Sequence, residues 1–281
     1  MITCHLMGGL GNQLFQIFAT ISYALKSKRN FKFLNNDSLP GVTVRYTYWK
    51  SFFEYLKQYL IHELPSCKVI RENGFPYNEI YMKNICESND NIMIYGYFQS
   101  YKYFEENYTS ICKIIKLNTL KNNLLDSVSY NKNFLDKSIS LHFRLGDYKN
   151  LSDYHPILTY EYYYKSLDYI YQNTNKISFN VLYFCEDEDI DTVEEKIDML
   201  KQQFPNYIFT RGCNNLKDWE QMLLMSFCHH NIIANSTFSW WAAYFNSNKD
   251  KMICYPSIWF CEMANNDVKD LCPPEWKKIN V

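Results

Sequence analysis

The stretch Asn231-Ile232-Ile233-Ala234-Asn235-Ser236-Thr237-Phe238-Ser239-Trp240-Trp241 is an apolar run that breaks on three polar capping residues and resumes as an apolar helix. A short continuous apolar run ending in such punctuation predicts a buried strand feeding directly into a helix. Working outward, the same unit recurs. Strands are predicted at 138–144, 178–184, 206–210, 231–235 and 251–255, alternating with helical segments at about 158–172, 189–203, 216–229 and 238–246. Such alternation implies a parallel sheet covered by helices, and parallel sheets bind ligands outside the carboxyl ends of their strands.

The N-terminal half follows the same logic less clearly. Ile2 to Met7 alternates apolar and polar residues, Gly8-Gly9-Leu10-Gly11 breaks the run, and Leu14, Ile17, Phe18, Ile21 and Leu25 then share one helical face. Further strands are expected at 31–34, 67–71 and 92–97. Helices are expected at 49–61 and 104–117, and a linker or hinge helix at 118–137. The organisation expected is an N-terminal α/β domain over 1–134 and a C-terminal α/β domain over 135–281.

Composition narrows the class. The chain has 281 residues, 47% hydrophobic and 21% charged, enough for a sizeable core. A formal net charge of -1 argues against broad attraction to nucleic acid but permits a small basic pocket for one nucleotide. No apolar run reaches the roughly 20 residues that span a bilayer, and the first residues do not read as a secretory signal. A cytoplasmic protein is therefore expected, peripheral membrane association staying open. The ten cysteines form no CxxC pair, which suits buried, reduced thiols and not a metal knuckle. The many aromatic residues, Tyr 25 and Phe 19, fit either core packing or the lining of a sugar cleft.

Four segments carry chemistry. In Ser138-Ile139-Ser140-Leu141-His142-Phe143-Arg144-Leu145-Gly146-Asp147, Ile139, Leu141 and Phe143 point one way, His142 and Arg144 the other. Arg144 offers a fork of donors suited to phosphate, and Asp147 can orient it or bind a hydroxyl; a structural Arg-Asp pair fits equally. In the second segment, the helix after Asn235 leaves first-turn N–H groups for an anion, with Ser236, Thr237 and Phe238 at hand; plain capping is the alternative. The third is the glycine turn Gly8-Gly9-Leu10-Gly11-Asn12-Gln13, where the backbone can approach a ligand. The fourth, Phe184-Cys185-Glu186-Asp187-Glu188-Asp189, fits a carboxylate reading a guanine edge, a divalent-metal site, or charge complementing a helix dipole.

Together these segments resemble the α-1,2-fucosyltransferases of glycosyltransferase family 11. The GGLGNQ-like pattern is matched at residues 8 to 13, GYFQ at Gly96-Tyr97-Phe98-Gln99, HxRRGD in part at His142 to Asp147, and NSTFSWW fully at residues 235 to 241. The chain departs from the family in having Leu145 where a second arginine is common, and Cys185-Glu186-Asp187 where Ser-Asp-Asp is common.

The resemblance implies a GT-B-like architecture of two facing Rossmann-type domains with parallel sheets. It implies a galactoside 2-alpha-L-fucosyltransferase type of activity: inverting, metal-independent transfer of L-fucose from GDP-β-L-fucose to a sugar hydroxyl such as galactose O2. It implies no cofactor beyond the donor, and a glycan acceptor as partner. The donor would be held by His142, Arg144, Asp147, Glu186 or Asp187, Asn235, Ser236, Thr237 and Phe238. Gly9, Gly11, Asn12 and Gln13 would face the fucose or the acceptor. Asp153 is the candidate base, with His155 as the alternative. The competing expectations are another linkage or GDP-sugar, or a non-catalytic GDP-sugar-binding protein, which the missing second arginine would favour. No P-loop is present to support a nucleotide hydrolase.

Overall fold

The computed structural model describes residues 1–40, 44–150, 153–213, 215–264 and 266–281, less the side chains of residues 80, 82, 86, 87, 147 and 150. The chain divides into two compact units, one of residues 1–122 with 267–273 and one of 123–266 with 274–281. Residues 123–134, which the sequence reading grouped with the N-terminal domain, thus cluster with the second unit.

The first unit opens with β1 (Ile2–Cys4) and α1 (Leu10–Lys26). Nearly all of α1 is buried, because its face of Leu14, Ile17, Phe18 and Ile21 is backed by Phe15, Tyr23 and Ala24. Two short pairs follow. β2 (Phe33–Leu34) lies parallel to β5 (Leu60–Ile61), and β3 (Ser38–Leu39) is antiparallel to β4 (Arg45–Tyr46). The aromatic segment expected as a helix over 49–61 is a 3₁₀ turn from Glu54 to Tyr59 that runs into β5, its Phe52, Phe53 and Leu56 filling the core.

β6 (Lys68–Arg71), α2 (Ile80–Glu87) and β7 (Ile92–Tyr95) complete a parallel sheet in the order β1-β7-β6. Helix α2 was not foreseen, its eight residues being too few to establish a helical period. The unit then closes with α3 (Tyr108–Ile114), and α4 (Leu117–Ser127) begins in it and ends in the second.

The second unit holds the clearer pattern. α5 (Lys132–Leu135) leads into β8 (Ser138–His142), followed by α6 (Tyr160–Asn173), β9 (Asn180–Phe184), α7 (Ile190–Gln203), β10 (Ile208–Arg211) and α8 (Asp218–Met225). β11 (His230–Ile232), α9 (Thr237–Tyr244), β12 (Ile253–Pro256) and β13 (Lys277–Ile279) complete it. All six strands are parallel, in the order β10-β9-β8-β11-β12-β13. In the unit's own count this is 3-2-1-4-5-6, the doubly wound order of dinucleotide-binding sheets, with its switch point between β8 and β11.

One face of the sheet forms a core of Ile139, Leu141, Phe143, Val181 and Ile232 with Tyr162, Leu167, Val193 and Leu200 of α6 and α7. The opposite face carries a hydrogen-bonded polar network. Asn231 Nδ2 donates to Ser140 Oγ at 2.7 Å and to the Met225 carbonyl at 2.9 Å, and Asn246 Nδ2 donates to Asn231 Oδ1 at 2.7 Å. A buried polar network costs little when each member has a partner.

Candidate active site

The register Leu141↔Ile232 means that His142 to Arg144 and Ile233 to Asn235 leave the sheet side by side at the switch point. The alternation read from the sequence holds here. Ile139, Leu141, Phe143 and Leu145 enter the core, whereas Arg144 is only partly buried and carries its charge to the carboxyl edge. Leu145 is 4% exposed within that core. The position where the family often carries a second arginine is therefore, in this chain, a core position and not a ligand position.

His142 is buried, its ring centroid 5.5 Å from that of Phe238. Burial first, and the Arg144 charge second, lower its pKa to about 3, so the imidazole is neutral at physiological pH. Its Nδ1 has no hydrogen-bond partner, and neither has Oδ1 of Asn235, which is 1% exposed. Two orphaned polar atoms beside one switch point demand a reason, since such atoms are ordinarily paired. The Asn235 amide itself is anchored, donating to the carbonyls of Pro156 at 3.0 Å and Trp259 at 3.2 Å.

The turn after Asn235 differs in one respect from expectation. The Ser236 N–H does not point outward for an anion; it closes a tight turn on the Ala234 carbonyl at 2.8 Å. What is left of the expected anion site is the first turn of α9, which begins at Thr237 and where Thr237 and Phe238 are partly exposed. The rest of the motif is structural. Trp240 and Trp241 are fully buried, Trp240 stacking on Tyr244 at 4.7 Å.

The acidic turn after β9 ties three strand ends together. Glu186 pairs with Arg144 at the end of β8, and Asp187 pairs with Arg211, the last residue of β10. Arg211 gave no sequence signal beyond its type, because the pairing depends on the spatial order of the strands. Asp189, one of the acidic residues ahead of α7, is 1% exposed; it accepts from the Gly146 N–H at 2.7 Å and from Lys149 Nζ at 2.6 Å. Gly146 is required there: its φ is +25°, and a Cβ would lie 2.5 Å from the Glu186 carboxylate.

This clamp fixes a 3₁₀ turn, Gly146–Asn150, which carries a residue the sequence reading missed. Tyr148 lies under the Arg144 guanidinium, 5.2 Å from ring centroid to carbon, and its hydroxyl donates to the Asn235 carbonyl at 2.9 Å. Tyr148 thus joins the two sides of the switch point. Its ring stacks on His155 at 4.3 Å, which draws the alternative base into the cluster, while Asp153 is exposed in the preceding loop. The side chain of Asp147 lies outside the described residues. Among the described residues there is no group of three potential metal ligands.

In the first unit, the carboxyl end of the sheet is lined by amides. Gln16 holds the turn before α1, exchanging hydrogen bonds with Met7 N at 2.9 Å and Met7 O at 3.2 Å. Gln13, expected to face a sugar, is fully buried and donates to the carbonyls of Gly8 at 3.0 Å and Tyr46 at 2.9 Å. Asn12 is partly exposed, its Oδ1 accepting from Gln99 Nε2 at 2.9 Å. Gly9 precedes α1 and Gly11 is buried within its first turn.

With this geometry in view, comparison with known proteins is decisive. The model of glycosyl transferase family 11 matches residues 75–280. The chain belongs to that family. The O-antigen biosynthesis glycosyltransferase WbnK of Escherichia coli is 25% identical over 98% of this chain and 99% of its own length. The alpha-1,2-colitosyltransferase of Escherichia coli is 26% identical over 99% of both. The galactoside 2-alpha-L-fucosyltransferase of Caenorhabditis elegans is 24% identical over all of this chain and 79% of its own. For a family 11 chain, the constellation after β8 and β11 stands where a doubly wound sheet binds nucleotide. No helix among the described residues is long and apolar enough to cross a membrane.

Proposed function

We propose that this family 11 chain transfers L-fucose from GDP-β-L-fucose to a sugar hydroxyl, galactose O2 in the first instance, with inversion and without a metal. The observation that carries this reading is that Tyr148 joins Arg144, after β8, to Asn235, just ahead of α9, across one switch point. A diphosphate there receives a guanidinium fork from one side and helix amides from the other.

In the displacement, the acceptor oxygen forms a bond to the anomeric carbon as the bond from that carbon to the β-phosphate oxygen breaks. Negative charge grows on the leaving phosphate, and Arg144 with the first turn of α9 receives it in this reading. Glu186 pairs with Arg144 and Asp187 with Arg211, and one of these two carboxylates reads the guanine edge. Neutral His142, with Phe238, forms the wall of the donor pocket. The acceptor proton goes to the loop of Asp153 and His155; His155 is the better placed, because Tyr148 holds it in the cluster. Asn12, which is partly exposed, serves the sugar or its acceptor.

A second reading concerns the donor alone. The colitosyltransferase is as similar to this chain as the fucosyltransferase, and both names carry a 2-position transfer, so another deoxy-sugar on GDP is its rival. Incubation with GDP-fucose and with other GDP-sugars, against galactose-terminated acceptors, decides the matter by product mass and linkage analysis. Fucosylated product with an α-1,2 linkage is expected. Turnover only with another GDP-sugar replaces the donor, and no turnover with any of them removes the reading.

A further inference from the structure

We infer that Glu72 is a positioning residue for Asn12, acting through the Gly96–Gln99 turn. The inference rests on the role proposed above for Asn12, and it explains the GYFQ segment, which that role leaves unused. Glu72 itself precedes the span matched by the family model, which begins at residue 75, whereas the Gly96–Gln99 turn lies within it.

The geometry runs in four steps. Glu72 follows β6, and its backbone N–H donates to the Tyr95 carbonyl at 2.8 Å, extending the β6–β7 ladder by one residue. Its carboxylate then turns across the end of β7. Oε2 accepts from the Tyr97 N–H at 2.7 Å, and both oxygens accept from the Phe98 N–H at 3.0 Å. Gly96 makes this possible, because a Cβ there would overlap the Glu72 side chain. Phe98 has φ +52°, a left-handed conformation that a bulky residue holds only when its surroundings enforce it.

Phe98 is enforced from both ends. Its amide is locked by Glu72, and its ring is fully buried between Tyr23, Tyr81 and Tyr103. That turn delivers Gln99, 6% exposed, whose Nε2 holds Asn12 Oδ1 at 2.9 Å. Among the described residues, Gln99 Oε1 is buried without a hydrogen-bond partner. Burial raises the Glu72 pKa, and the Phe98 and Tyr97 amides oppose that rise.

A glutamate that merely stabilised the first unit would, in Glu72→Gln, leave the Asn12 and Gln99 side-chain amide signals in place wherever the variant remains folded. A positioning residue for Asn12 affects the acceptor step and leaves GDP binding alone. In Glu72→Gln, which keeps the shape and one acceptor oxygen, the acceptor KM is expected to rise on the order of 10-fold, with GDP affinity unchanged within about twofold. Glu72→Ala should exceed this. The side-chain amide NMR signals of Asn12 and Gln99 should shift in Glu72→Gln under conditions where the variant remains folded. Unmoved amide signals, or equal losses in acceptor KM and GDP affinity, overturn the inference. The NMR arm is independent of catalysis, so a wild-type protein that transferred nothing would defeat the proposed function while the coupling stood or fell on the amide signals alone.

Discussion

The two units end their parallel sheets in different chemistry. The carboxyl edge of the second unit is ionic: Arg144, Glu186, Asp187, Arg211, Lys149 and Asp189 form pairs across three strand ends. The edge of the first unit is built mainly of neutral amides, Asn12, Gln13, Gln16 and Gln99, with Glu72 spent on backbone N–H groups. The difference is instructive because a diphosphate is a strong anion whereas sugar hydroxyls are neutral. Charge that can be exchanged between a carboxylate and a phosphate suits the first, and amides that both donate and accept suit the second.

The sharpest way to break this contrast is to add charge where the ionic edge has none. Leu145→Arg would restore the family's common residue but bury its charge beneath the edge. It should cost about 4 kcal/mol in urea unfolding and give no gain in turnover. A stable, faster variant would show that the position reaches the ligand after all.

Removing charge is the next largest effect. Arg144→Ala should lower turnover by about 10²-fold, equivalent to about 2.7 kcal/mol of transition-state stabilisation, with thermal stability nearly intact. Near-normal kcat in that variant would detach the phosphate grip from β8.

Acid should distinguish the units by sign. Burial holds His142 and His230 neutral, each lowered from 6.5 to about 3. The unfolded chain therefore binds their protons first. Stability falls by about 2 kcal/mol per histidine between about pH 7 and pH 5, and the loss continues toward the folded values. Glu72 has the opposite sign, because its raised pKa makes the folded state the better proton binder. Urea melts at the two pH values check this, and His230→Gln should remove about half of the histidine dependence.

The smallest effect sharpens the link across the switch point. Tyr148→Phe keeps the ring under Arg144 and deletes the hydrogen bond to the Asn235 carbonyl. A loss of about 1 kcal/mol is expected, seen as a roughly fivefold weaker GDP affinity in calorimetry.

Much of this was legible in the chain itself, for reasons that are local. The strand–turn–helix units of the second half were visible because each strand is a short apolar run with a capping residue behind it, as at Ile232 to Thr237. The opposed faces of Leu141 and His142 followed from the two-residue period of a strand. Helix α2 and β13 were not visible, the first for want of length and the second because Lys277 and Lys278 give it no apolar run.

Tyr148, Lys149 and Arg211 were missed as well, since nothing in a tyrosine or an arginine next to a loop announces its partner. The burial of Gln13 was hidden for the converse reason. A motif names residues that occur together, and it does not say which of them face the ligand and which hold the turn.

The sequence alone therefore determined that there are parallel sheets with helices between the strands, and which turns carry polar chemistry, because period and capping are properties of neighbours along the chain. Only the tertiary structure decided the order of the strands. That order places β8 beside β11, joins Arg144 to Asn235 through Tyr148, sends Leu145 into the core and lets Glu72 reach Phe98, because each of these contacts brings together residues that the chain keeps apart.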